Sequence, residues 1–232
     1  MTRLARAGEG NTFFVTSADD LSRIFKIELG DVGNVVARKI GVDIRFPEGV
    51  RPIRILGREG RVARDRVFLE FTQVYGHMPK HALIEVAIDP GSSDASREIA
   101  VAEVNYRCGV DNEFRQVVAR VNARFSASKS VVQNSANIEV MRDLAESLIA
   151  VAKDEVVEMM DRGEKTAAVS RLGALKEEID GWNAQLRDEK LEEQSAVLAQ
   201  EAAELEIHGM DNAKRKAYRT ESYQSSNSQY AY

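Results

Sequence analysis

Residues 40–56 read IGVDIRFPEGVRPIRIL, and their rhythm decides the fold. Ile40, Val42, Ile44 and Phe46 alternate with Gly41, Asp43 and Arg45. Successive residues of an extended chain point to opposite sides, so the apolar set lines one face of a half-buried strand. Pro47-Glu48-Gly49 breaks the run, as a turn does when proline presets one dihedral and glycine permits another. Ile53 and Ile55 then begin a second short strand, and a meander is under way.

The same period continues downstream. Gly57 to Gly60 (GREG) makes a turn, and Val67, Leu69 and Phe71 alternate after it until Gly76 and Pro79. Ala82, Ile84, Val86 and Ile88 form the next set, closed by the loop Asp89-Pro90-Gly91-Ser92-Ser93, and Ala100, Ala102, Val104 and Tyr106 the one after. Val117, Ala119, Val121, Ala123 and Phe125 alternate against Arg120, Asn122 and Arg124, the clearest one-face-in pattern of the chain, so this face is predicted buried. Six or seven strands joined without intervening helices have no crossovers for a parallel sheet. Residues 34–128 are therefore predicted to form an antiparallel, two-layer β-sandwich.

Outside that stretch the period becomes helical. Ile138, Met141, Ala145, Leu148, Ala152, Val156 and Met159 recur at spacings of three and four, with Gly163 as a break. Ala168, Leu172, Leu175, Ile179, Trp182 and Leu186 repeat the rhythm, as do Leu191, Leu198, Ala202 and Leu205. Residues 129–210 thus read as a helical hairpin or three-helix segment, whose heptad-like seams could also join copies of the chain. Residues 211–232 are poor in aliphatics and rich in Ser, Asn and Gln, the composition of a disordered tail. Four of the six tyrosines lie there, among them Tyr218 and Tyr223, as anchors that would order on a partner. Upstream, Thr12 to Val15 reads as a strand and Leu21, Ile24, Phe25 and Leu29 as one face of a helix ended by Gly30, with Ser17 and Asp20 spaced as a cap. The fold class is α+β, with a strand-helix piece of α/β character at residues 1–33.

Composition narrows the function. Charged residues make up 30% and hydrophobic ones 44%, as in an ordinary soluble protein, and no apolar run approaches the roughly 20 residues of a membrane-spanning helix. A net charge of −5 speaks against nucleic-acid binding, which rests on clusters of Lys and Arg; Lys214-Arg215-Lys216 reads as a solvated run. Cys108 stands alone, which leaves neither an internal disulfide nor a thiolate cage. It lacks a recognisable base motif, and no Ser sits in a Gly-x-Ser-x-Gly elbow. His77 and His81 flank Pro79 without a carboxylate motif, and Gly8-Glu9-Gly10 reads as a turn. The acidic residues of 188–206 interleave with Lys and Gln as a solvated helix face does. The expectation is no catalytic residue, no metal and no cofactor. Met1 to Gly10 shows no apolar signal-peptide stretch.

Two segments carry a resemblance. LARAGEGNTFFVTSADDLSRIFKIELGDV (4–32) resembles the last strand and helix of a von Willebrand factor type A domain. VVARKIGVDIRFPEGVRPIRILG (35–57) resembles the sandwich that follows it in bacterial proteins often labelled calcium-activated chloride channel homologues, and the match runs on through the helices. Type A domains bind partners through a metal held by a D-x-S-x-S loop with a distant Thr and Asp, oxygen ligands that suit Mg²⁺. The nearest approach here, Asp94-Ala95-Ser96-Arg97-Glu98, has Glu where the second Ser belongs, so that metal role passes to no residue of this chain.

The resemblance implies that Met1 is an internal methionine of a longer frame. It further implies a non-enzymatic protein-binding or scaffolding module, the C-terminal portion of a type A protein, whose partner is another protein. The interaction surface would comprise Phe13, Phe14, Leu21, Ile24 and Phe25 of the strand-helix piece, with Tyr218 and Tyr223 of the tail. The alternative is a self-standing assembly protein that oligomerises through its C-terminal helices.

Overall fold

The computed structural model describes residues 5, 11–15, 17–31, 34–76 and 78–228 of the 232-residue chain. It divides into two compact units, Val15–Lys129 and Met1–Phe14 with Ser130–Tyr232. The turn expected at Gly8-Glu9-Gly10, and His77, Tyr230 and Tyr232, lie outside the described residues.

The first unit opens with helix α1 (Ala18–Asp31). Its start is the reciprocal cap that the sequence predicts: the Ser17 N–H donates to Asp20 Oδ2 at 3.0 Å, and the Asp20 N–H to Ser17 Oγ at 3.3 Å. Seven strands follow: β1 (Val35–Arg45), β2 (Val50–Leu56), β3 (Arg61–Val62), β4 (Arg66–Tyr75), β5 (Leu83–Ile88), β6 (Ser96–Cys108) and β7 (Phe114–Arg124). Five make one sheet in the order β3-β4-β1-β6-β7, and β2 pairs with β5 in a second. All pairings are antiparallel, which short connections without helices require. Ile40, Val67, Leu69 and Phe71 of the larger sheet are buried with Phe46 and Val50, and Ile55, Ile84, Val86 and Ile88 of the smaller sheet pack on the same cluster.

Two local features mark β1 and its surroundings. Its register slips against β6 between Arg38 and Gly41, and Lys39 takes up the extra residue with a positive φ of 51°. Just past β6, Gly109 donates its N–H to Val36 O at 2.8 Å. A Cβ there would stand 1.9 Å from Val35 O, so only glycine allows the approach.

In the second unit a short helix α2 (Lys129–Asn134) precedes α3 (Ile138–Asp161), α4 (Lys165–Leu186), α5 (Glu189–His208) and α6 (Asn212–Ser226). Side-chain caps start three of them. Asn137 accepts from the Glu139 N–H, Asp188 from Leu191 and Asp211 from Lys214, at 2.9, 3.1 and 2.7 Å. The apolar stripes read from the sequence meet one another: Val156 of α3, Leu172, Leu175 and Ile179 of α4, and Leu191, Leu198 and Leu205 of α5 form one buried cluster. Full burial of each Leu contributes about 1.5–3 kcal/mol. The seams offered as a site of self-assembly are thus covered within the chain.

Two sequence expectations need correction. The tail expected to be disordered from residue 211 is ordered over its described part: Asn212–Ser226 is helix α6, and Tyr218 belongs to the helical core. Thr12 to Val15 lie in no strand; β-propensity alone makes no ladder without a neighbouring strand to pair with.

Candidate functional site

Helices α3, α5 and α6 converge on a charged cluster. Lys153 of α3 is almost wholly buried, with Nζ 2.9 Å from Glu201 Oε1 on α5 and 2.5 Å from Glu221 Oε2 on α6. The ammonium also stands 5.0 Å from the centre of the Tyr218 ring. Burial drives the Lys153 pKa down, but Glu201 and Glu221 together outweigh it and leave it raised. A lysine so held keeps its proton at neutral pH and offers no lone pair for attack. Burial, reinforced by Glu201, pushes the Tyr218 phenol upward as well. The Tyr218 hydroxyl and Glu201 Oε2 have no hydrogen-bond partner among the described residues. Nearby, Ser222 Oγ donates to Asp154 Oδ2 at 2.8 Å.

Beside this cluster lies a groove of about 510 Å³, lined by the apolar Ile149, Ala150, Val197 and Leu198 and by Glu146, Lys153, Lys190, Glu193 and Glu221. Its volume falls within the roughly 300–1,000 Å³ of ligand pockets. The signal for it was present in the sequence. Lys153 falls between Ile149 and Val156 in the apolar stripe of α3, and a charge in such a stripe calls for buried partners.

The predicted interaction residues divide. Leu21 and Phe25, one helical turn apart on α1, are 46% and 62% exposed, and Ile24 is half-buried. Phe14 is exposed and Phe13 half-buried. Tyr218 and Tyr223, expected as exposed anchors, are buried, Tyr218 within the helical core, which corrects their role as docking groups.

The residues weighed for chemistry are scattered. Cys108 is buried at the end of β6, and Arg58 Nε donates to the His81 carbonyl at 3.1 Å. In the segment 94–98, Asp94 pairs with Arg124 at 3.1 Å and Glu98 with Arg120 at 2.8 Å. Among the described residues, no three His, Cys, Asp or Glu side chains stand together as a metal site, and no helix is long and apolar enough to cross a membrane.

No family model matches the sequence, and no curated protein matches it. Solved structures do. A von Willebrand factor type A protein from Catenulispora acidiphila superposes with a TM-score of 0.56 at 12% identity, over 94% of this chain and 46% of that one. Human COPII-coat protein Sec24c gives 0.51 at 12% identity, over 88% of this chain and 27% of that one. The ArnB paralog VWA2 from Sulfolobus acidocaldarius gives 0.47 at 13% identity, over 97% and 51%. The chain spans about half the length of these structures or less, and its fold is like that of a von Willebrand factor type A protein.

Proposed function

We propose that this chain is a non-enzymatic protein-binding and scaffolding module, the C-terminal portion of a larger von Willebrand factor type A protein. In this reading the two sheets are the layers of a β-sandwich, and helix α1 docks through its apolar face onto a protein surface. The observation that carries it is the stripe on α1: Leu21 and Phe25 share one face and stand about half in water. Full burial of such a side chain contributes about 1.5–3 kcal/mol, so a complementary surface gains from covering both. The likeness to a type A structure more than twice as long supports the larger assembly. The protonated, ion-paired Lys153 and the buried Cys108 support a role in binding over one in catalysis.

Sedimentation of the chain over a range of concentrations tests this. With α1 uncovered, the wild type associates as concentration rises, whereas the Leu21→Glu/Phe25→Glu variant stays monomeric with the circular dichroism of its sheets unchanged. A wild type that remains a monomer at every concentration, with slow amide exchange through Leu21 to Phe25, defeats the reading.

A further inference from the structure

The core-facing side chains of the five-stranded sheet lie in rows that the pairing dictates. One row runs from Leu69 of β4 through Val42 of β1 and Val104 of β6 to Val117 of β7. Along it, exposure climbs from 3% at Leu69, through half-buried Val42 and Val104, to 52% at Val117. The next row, Val67, Ile44, Ala102 and Ala119, repeats the climb from buried to exposed. Val121, opposite Ala100, is 47% exposed. Similar side chains on one face differ only in what covers them.

The covering layer is two strands wide. β2 lies on the β4 side, since a Cβ at Gly60 would meet both Ile55 of β2 and Leu69 of β4 at 2.6 Å. The end of β5 is tied to β6 by Arg97 Nη2, which donates to Asp89 O at 2.8 Å. Beyond β5 the layer stops, and its outer edge is unpaired among the described residues. The Asp89 N–H donates toward β2, to Gly49 O at 2.8 Å. Alternation along an antiparallel strand then directs the N–H groups of Ile84, Val86 and Ile88 to the open edge.

We infer that this open edge and the uncovered face of β7 together form an acceptor site for an extended segment of a partner protein. The segment adds a third strand beside β5 and lays every second, apolar side chain on Val117, Ala119 and Val121. A strand is the occupant that answers both needs at once: its backbone pairs with the amides of β5, and its alternating side chains cover the sheet. A second copy packed face to face does not suffice, because a few small side chains along one strand fall well short of the ~800 Å² per partner of a stable interface. The site does not depend on the docking role given to α1.

Peptides of strand length, selected from a random displayed library on the full chain and counter-selected on Val117→Lys/Val121→Lys, test the assignment. Both positions are half-exposed, and circular dichroism checks that the variant keeps its sheets. The expected peptides carry apolar residues at alternate positions, bind the Leu21→Glu/Phe25→Glu variant as well as the wild type, and slow amide exchange at Val86 and Ile88 about tenfold. The inference is overturned if no peptide distinguishes wild type from variant, if the selected peptides protect the outer edge of β7 instead, or if the chain proves to be a dimer that Val117→Lys dissolves.

Discussion

Lys153 is a charge placed where the helix stripe requires an apolar residue, and its two carboxylate partners make that tolerable. Lys153→Ala leaves Glu201 without its cation. Breaking a buried pair costs about 3–5 kcal/mol, and the lower end applies because Glu221 is half-exposed and can turn to water. Urea melts followed by helical circular dichroism should show that loss. The same cluster sets the response to alkali. Lys153 and Tyr218 both have pKa values raised by folding, so the unfolded chain gives up their protons first. Their contribution is fully present at neutral pH and is lost as pH rises past about 10, where free lysine and tyrosine titrate. Tyr218→Phe removes one of the two groups together with an unpartnered hydroxyl. Its stability at pH 7 should match or exceed that of the wild type, and its decline between pH 10 and 11 should be shallower.

At the scale of elements, α6 and β7 show how far a periodic pattern can be trusted. A buried face of Ile, Val and Leu announces itself, and the strands about Ile40–Phe46 and Val67–Phe71 and the stripes of α4 and α5 were legible for that reason. The buried side chains of α6 are Tyr218, Thr220, Ser222 and Tyr223. All four bear hydroxyls, which a reading by hydropathy assigns to solvent. The start signal of α6, Asp211 three residues before Lys214, was there to be seen. β7 failed in the opposite sense: alternation identified the apolar face correctly, but it says nothing about how far the opposing layer extends. A folded α6 has a direct consequence. Lys214 pairs with Glu204 and Arg215 with Asp161, both at 2.8 Å, so the run Lys214-Arg215-Lys216 should resist trypsin. Tyr218→Ala/Tyr223→Ala empties two buried ring sites, at about 3 kcal/mol each by analogy with other aromatic truncations, and should open that run to rapid cleavage.

For the whole molecule, the decisive fact is that the two apolar clusters share no residue. One is built from residues between Ala37 and Tyr106, the other from residues between Ala145 and Tyr218. Each unit therefore carries its own driving force for folding, and a core substitution in one should leave the other standing. Leu172→Ala in α4 and Leu69→Ala in β4 both truncate buried leucines, each at a cost of about 2–5 kcal/mol. The chain's single tryptophan, Trp182, packs on the helical core and reports that unit alone. Leu172→Ala should bring the Trp182 fluorescence transition to lower urea and leave the sheet's circular dichroism transition in place, and Leu69→Ala should do the reverse. If either substitution moves both transitions together, the helices and the sheets unfold as one cooperative body, and the two surfaces proposed on the first unit would have to be judged against the stability of the whole.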